Sequence, residues 1–193
     1  MKLSLEQTKK YLLACSNGPD SMALFGLLQS EGYNFEVAHV NYHFRGQESD
    51  QETVDLIAYA EKYQRPLHIH HAYYQKEDGN FEAWARNERY LFFAKLLSLD
   101  STITAVVIGH HQDDLLETYL LQKKRKNRPY YFGLSAETEF KNMTVLRPLL
   151  DKTSAELREY CKENSIPFSD DSSNQDLGFA RNKIRHEYVS KLT

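Results

Sequence analysis

Three short stretches of this 193-residue chain bring together residue types able to do chemistry. The first is Ser16-Asn17-Gly18-Pro19-Asp20-Ser21, a small polar turn just after an apolar run. Such a turn ahead of a helix offers backbone N–H groups and hydroxyls to an anion. Gly18 permits close backbone approach and unusual dihedrals. Ser16 and Ser21 can donate to phosphate oxygens. Asp20 fits an anion site only where Mg²⁺ neutralises the phosphates and Asp20 helps hold it. The same residues also suit a plain N-cap turn, with Asp20 and Ser21 satisfying helix N–H groups. The turn is not the GxxxxGK[ST] nucleotide fingerprint, because the lysine is missing.

The second stretch is Gly109-His110-His111-Gln112-Asp113-Asp114-Leu115-Leu116-Glu117-Thr118. A helix starting near Gln112 puts Asp113 and Asp114 in its first turn, with Glu117 at i+4 and i+3 from them. The helix dipole alone favours first-turn acids. Two adjacent histidines before three acids go beyond that, and the cluster suits a cation: Mg²⁺ or a substrate ammonium. A transition-metal site is the weaker alternative, since no cysteine lies nearby. The third stretch is Lys123-Lys124-Arg125-Lys126-Asn127-Arg128, followed by Pro129-Tyr130-Tyr131-Phe132. Cations beside aromatics suit phosphate contact and base stacking. A solvated helix end is the plainer reading.

The elements that must position these stretches alternate. Tyr11 to Cys15, Phe35 to Val40, Leu67 to Ala72 and Ala105 to Gly109 read as strands. Helices are expected over 20–31, with Met22, Leu24, Phe25, Leu27 and Leu28 inward, and over 49–63, with Val54, Ile57 and Ala58 at helical spacing. A third runs from an Asn80 cap to about Leu97, with Phe81, Trp84, Ala85 and Leu91 inward. A fourth runs from Gln112 to Lys123. Thr153-Ser154-Ala155-Glu156 has capping-box spacing and should start a fifth. Asp170 to Gln175 reads as loop, and 180–190 as a short final helix. This is an α/β chain with a doubly wound, mostly parallel sheet and helices on both faces. Ligands bind such sheets at the carboxyl ends of strands, which points to the turns after Cys15, Val40 and Gly109. His68, His70 and His71 read as structural or solvent-facing, since no acids cluster with them.

Composition narrows the classes. Hydrophobic residues make up 41% and charged residues 26% of the chain, too apolar for disorder. No run approaches the roughly 18 apolar residues of a membrane span, and no signal peptide is evident. Two cysteines, Cys15 and Cys161, make neither a disulfide framework nor a CxxC zinc site. A reduced, cytoplasmic setting is therefore expected. The formal net charge of −3 excludes a uniformly basic nucleic-acid coat. It divides unevenly: residues 1–122 carry 10 basic and 17 acidic side chains, and residues 123–193 carry 14 and 10.

The turn at 16–21 resembles the PP-loop, SGGxDS, of the ATP pyrophosphatases. Asn17 stands where that pattern has its first glycine, and Asn tolerates a left-handed conformation better than most residues. Those enzymes split ATP between the α- and β-phosphates, adenylate a substrate oxygen and release pyrophosphate. Within that group the chain resembles the tRNA(Ile)-lysidine synthetases. His39-Val40-Asn41 with Phe44-Arg45-Gly46 is similar to their second-strand motif, and Glu82 to Tyr90 to their EAxARxxRY helix. Residues 109–118 are similar to GHHxDDxxET. Gly133-Leu134-Ser135 and Arg147-Pro148-Leu149-Leu150 also fit. Asp171 to Asp176, with Phe179, Arg181-Asn182 and Ile184-Arg185, is similar to the DxSNxD and YxRNxIR tail.

The resemblance implies a single PP-loop catalytic domain over 1–193, with 124–193 as a basic C-terminal subregion. It implies a ligase that uses ATP and Mg²⁺ to adenylate C2 of the wobble cytidine of tRNA(Ile) with a CAU anticodon. Free L-lysine then displaces AMP. ATP would lie on Ser16, Asn17, Gly18, Pro19, Asp20 and Ser21, with His39 and His110 beside it. Mg²⁺ would sit near Asp20 and Asp113. Asp114 and Glu117 would hold the lysine amine, and either Arg86 or Arg89 its carboxylate. A surface ion pair with Glu82 or Glu88 is the plainer role for those arginines. Arg45, Lys123, Lys124, Arg125, Lys126, Arg128, Arg181 and Arg185 would face the tRNA. The rivals are a PP-loop tRNA thiolase, which needs reactive cysteines, and a non-catalytic nucleotide- or RNA-binding remnant.

Overall fold

The computed structural model describes residues 1–124 and 132–170. Arg125, Lys126, Arg128, the 171–176 motif, Arg181, Arg185 and the helix expected over 180–190 lie outside the described residues.

The chain alternates β1 (Lys10–Ala14), α1 (Pro19–Ser30), β2 (Asn34–Asn41), α2 (Gln47–Lys62), β3 (Leu67–His71), α3 (Phe81–Leu99), β4 (Ile103–Ile108) and α4 (Gln112–Lys124). It closes with β5 (Glu137–Phe140), β6 (Met143–Leu146) and α5 (Ser154–Glu163). A 3-10 turn at Lys76–Asp78 precedes α3. The strands form one six-stranded sheet in the order β3-β2-β1-β4-β6-β5. All neighbours are parallel except β5 on β6.

Burial on both sheet faces explains the near-continuous apolar strands. In β1, Tyr11, Leu12 and Leu13 are all buried. One face packs Tyr11, Leu13, Phe35 and Val37 against α1, α2 and α5; the other packs Leu12, Ala38 and Val106 against α3. Phe25 of α1 meets Phe35 and Tyr59 edge-on, at 5.2 and 4.9 Å between centroids. Full burial of a ring that size contributes roughly 1.5–3 kcal/mol. The expected caps form: Asn80 Oδ1 accepts from Ala83 N, and Thr153 and Glu156 make a reciprocal capping box.

Two helices turn different faces inward from those expected. In α2, Val54 is 55% exposed, and Glu52, Thr53, Leu56, Tyr59 and Ala60 are buried instead. Thr53 serves the core by hydrogen bonding His39, and Glu52 by pairing with Arg45. In α3, Ala85 is buried as expected, but Leu91 is 48% exposed, and Tyr90, Phe93 and Leu96 are buried in its place. The β5–β6 hairpin was not expected from the sequence. Its turn residues Lys141 and Asn142 both have positive φ, at 51° and 60°, as a type I′ turn demands.

From β1 the chain moves outward to β2 and β3, and from β4 it moves the other way to β6. The crevice between the carboxyl ends of β1 and β4 is therefore the switch point at which ligands bind doubly wound sheets.

Candidate active site

Two turns face each other across that crevice. The first leaves β1 at Ala14 and enters α1 at Pro19. Asn17 carries φ 67°, the left-handed shape its side chain tolerates, whereas Gly18 is ordinary extended N-cap backbone at φ −76°. The special backbone position is thus Asn17, not Gly18. Ser21 Oγ knits the turn: it accepts from Ser16 N at 3.2 Å and donates to Gly18 O at 3.0 Å. Asn17 is buried, and its amide donates to Ser169 Oγ at 3.0 Å rather than reaching into the crevice. Ser16 stays exposed. Pro19 occupies the first turn of α1, where its missing N–H costs nothing.

The second turn leaves β4 at Ile108 and enters α4 at Gln112. Gly109 makes the close approach possible: a Cβ there would stand 2.8 Å from Asp20 O. His111, 2% exposed, is the centre of the site. Its ring Nδ1 accepts from Asp113 N at 3.3 Å, and its backbone N–H donates to Asp114 Oδ2 at 3.1 Å. Its Nε2 lies 3.4 Å from both Asp20 Oδ2 and Asp114 Oδ2, and its Nδ1 3.8 Å from Asp113 Oδ2. Burial opposes a charge on this ring. The bond to Asp20 and the charges of Asp114, Asp20 and Asp113 outweigh that and hold its pKa above the ordinary histidine value. Glu117 is 1% exposed and follows Asp113 on the buried side of α4. Ser154 N, at the start of α5, points to Asp113 Oδ2 at 3.4 Å. Helix starts on α1, α4 and α5 thus favour these acids.

Asp20 Oδ1 and Asp113 Oδ1 are buried with no hydrogen-bond partner among the described residues. Mg²⁺ fits that pair, since it takes one or two carboxylates and fills its other positions with water and phosphate oxygens. Among the described residues no group of three or more His, Cys, Asp or Glu is arranged as a metal cage.

The flanking residues divide. His110 Nδ1 accepts from Arg147 Nε at 3.1 Å, which ties it to the buried Arg147 after β6. Arg86 is exposed and lies over Tyr90 at 4.8 Å and Phe140 at 5.6 Å. Arg89 is half-buried, and its Nε is buried without a hydrogen-bond partner among the described residues. Lys123 and Lys124 are exposed at the end of α4, with Lys123 Nζ 5.9 Å over Tyr119.

Two expected contacts, His39 and Arg45, are otherwise engaged. His39 is buried, with Nδ1 2.9 Å from Cys15 O and Nε2 3.0 Å from Thr53 Oγ1. Both ring nitrogens are occupied, so the ring fastens β2 to β1 and α2 rather than contacting a nucleotide. Burial lowers its pKa and keeps it neutral. Arg45 pairs with Glu48 at 3.1 Å and Glu52 at 2.5 Å, so its charge is engaged within the fold. The β3 histidines do meet acids: His68 lies 2.7 Å from Glu36, and His70 3.4 Å from Glu88. Those acids come from β2 and α3, beyond the reach of local sequence. His71 instead touches His43, which pairs with Asp50 at 2.8 Å.

The PP-loop domain matches residues 2–192. The chain belongs to the PP-loop family. This PP-loop chain is 38% identical over 186 residues to the tRNA(Ile)-lysidine synthase of Mesoplasma florum, covering 95% of itself and 46% of that relative. It is 36% identical to the tRNA(Ile)-lysidine synthase of Mycoplasma mycoides, covering 94% and 46%. The chain spans about half the length of these curated relatives. Its fold is shared with a U34-tRNA thiolase from Methanococcus maripaludis, at TM-score 0.79 and 13% identity, covering 97% of this chain and 66% of that one. An NH3-dependent NAD synthetase from Campylobacter jejuni is more distant, at TM-score 0.55 and 13% identity, covering 98% and 80%. Identities that low speak for the fold alone.

Sequence reading of this PP-loop chain placed Asp20, Asp113, Asp114 and Glu117 at one ligand edge, and the structure brings Asp20, Asp113 and Asp114 around one ring. It missed His111 as that ring. The signal was its place next to His110, one residue ahead of a helix whose cap it becomes.

Proposed function

We propose that this chain is the catalytic part of a tRNA(Ile)-lysidine synthase, with 1–193 as one catalytic domain and 124–193 its basic subregion. The observation that carries the reading is the pair of buried oxygens on Asp20 and Asp113 that have no hydrogen-bond partner among the described residues, at the turn of 16–21 and the start of α4. The names of the curated relatives point the same way.

In this reading the ATP phosphates lie on the turn from Ser16 to Ser21, against the start of α1. Asp20 and Asp113 hold Mg²⁺, which supplies charge neutralisation to the phosphates when bound. The C2 oxygen of the wobble cytidine attacks the α-phosphorus, forming a P–O bond as pyrophosphate leaves. In this reading His110 contacts the α-phosphate. The lysine Nε, neutral when it attacks, forms a bond to C2, and the C2–O bond breaks as AMP leaves. Asp114 and Glu117 hold the ammonium and take up its protons. Arg89, whose Nε has no partner among the described residues, takes the lysine carboxylate. Lys123 and Lys124 meet tRNA phosphates. A cytoplasmic setting goes with this reading; no helix among the described residues is long and apolar enough to cross a membrane.

Sulfur transfer is disfavoured by the cysteines. Cys15 and Cys161 are both buried. Burial, reinforced by Asp20, pushes the Cys161 thiol up to about 12, and burial also raises Cys15. Neither is a ready thiolate. The decisive experiment measures AMP release from ATP with lysine and tRNA(Ile) supplied singly and together. Release that requires both supports the proposal. Release indifferent to lysine, or none at all, overturns it.

A further inference from the structure

The segment after α5 clasps the turn at 16–21. Ile166 fills a recess on α1 opened by Gly26: a Cβ at position 26 would stand 2.3 Å from Ile166 Cδ1. Cys161 Sγ points to Pro19 O at 3.5 Å. Arg158 lies over Phe168 at 5.6 Å and pairs with Asp170 at 2.6 Å, which stiffens the segment. Its tip closes on residue 17 twice. Ser169 N donates to Asn17 O at 2.9 Å, and Asn17 Nδ2 donates to Ser169 Oγ at 3.0 Å.

These two bonds hold the one residue of the turn with positive φ. A left-handed non-glycine residue is strained by about 1 kcal/mol or more and persists where its surroundings hold it. Asn17 is buried, so its amide needs a partner, and Ser169 is that partner. The backbone direction at Asn17 decides where the N–H groups of Gly18, Asp20 and Ser21 point.

We propose that the Asn17–Ser169 pair is a positioning device that keeps the PP-loop in its ligand-ready shape, so that the segment after α5 governs how tightly the loop binds ATP. Neither residue needs to touch the reacting atoms for this. The proposal rests on the reading that the loop receives ATP, and its test separates the two. Four variants are compared with the wild-type chain: Ser169→Ala, Ser169→Thr, Asn17→Gly and the double variant Asn17→Gly/Ser169→Ala. Glycine accepts the positive φ and removes only the amide.

Calorimetric titration with Mg·ATP should give a Kd raised about fivefold to tenfold in Ser169→Ala and in Asn17→Gly, the size of one lost hydrogen bond. The double variant should be no worse than either single one, because one bond is lost in all three. Ser169→Thr keeps the hydroxyl and should stay within twofold of wild type. Amide hydrogen exchange without ligand, at Gly18, Asp20 and Ser21, should speed up tenfold or more in Ser169→Ala and not in Ser169→Thr. Unchanged Kd and unchanged exchange in Ser169→Ala overturn the proposal. A Kd that merely follows falling Tm across the variants, with threonine no better than alanine, also overturns it. If the wild-type chain binds no ATP, the functional reading fails, and the exchange rates still decide whether Ser169 holds the loop.

Discussion

Two charged clusters lie toward opposite ends of the same sheet, and they are built differently. Toward the amino end, Lys10 Nζ sits 2.6 Å from Glu36 and 2.7 Å from Asp100, and Glu36 is 2.7 Å from His68. Cations and carboxylates alternate, and every distance is that of a made hydrogen bond. At the carboxyl end one histidine stands among three carboxylates at 3.4 to 3.8 Å, and two carboxylate oxygens have no partner among the described residues. A satisfied network rigidifies a fold. An unsatisfied one stores a demand that a ligand can meet. The contrast separates a structural cluster from a functional one more sharply than charge or burial does.

The comparison breaks first at Asp20. Asp20→Ala should lower lysine- and tRNA-dependent AMP release on the order of a thousandfold. It should leave Tm unchanged or slightly raised, because a buried oxygen without a partner among the described residues leaves with the side chain. Release that survives within tenfold would remove the carboxyl edge from the chemistry. Next come the two arginines of α3. Arg89→Ala should raise the KM for lysine roughly a hundredfold, the value of a charge-assisted pair. Arg86→Ala, which loses only its contacts over Tyr90 and Phe140, should stay within about threefold. The opposite ranking would reassign the carboxylate site.

A smaller effect is expected where the carboxyl edge meets the end of α4. Neutralising Lys123 and Lys124 should flatten the salt dependence of tRNA binding by about 2 in log–log slope. An unchanged slope takes both out of the interface. The smallest effects belong to the amino-end cluster. Lys10→Met should lower stability by about 1 kcal/mol, as a partly solvated ion pair does, without changing KM for ATP or lysine. Burial pushes Glu36 upward, but Lys10 and His68 outweigh it and hold the carboxyl below its usual value near 4.5. The stability it contributes is therefore present above about pH 4.5 and is lost as pH falls through the depressed value. Acid titration of Tm should show this loss in the wild type and less of it in Glu36→Gln.

Legibility in the sequence followed range. Strands β1 to β4 and their helices could be read, since each is announced by local apolar pattern and by caps at Asn80 and Thr153. Asn17 could be read as left-handed because that tolerance belongs to its own side chain. The β5–β6 hairpin could not: its strands are four residues long, and Lys141-Asn142 lacks the glycine that usually marks such a turn. The buried face of α2 was hidden because Thr53 and Glu52 are inward for the sake of His39 and Arg45, partners that only folding supplies. His39 itself had the right address at a strand end but not the right direction. His111 was masked by its neighbour, since adjacent residues at a helix start diverge in ways no spacing rule predicts.

Gly109 shows what the narrow gap between the two turns means for the gene. Asp20 O lies 2.8 Å and Asp20 C 3.0 Å from where its side chain would begin, and both are backbone atoms that cannot swing aside. Any missense change in that codon adds at least one carbon, so every neighbour in sequence space collides with the start of α1. Gly32 has positive φ but open space around it, a position where asparagine is the least strained replacement for glycine. In a library randomised at both codons, position 109 should return glycine alone, while position 32 admits asparagine. The separation between the two turns is thus inherited as an absence of atoms.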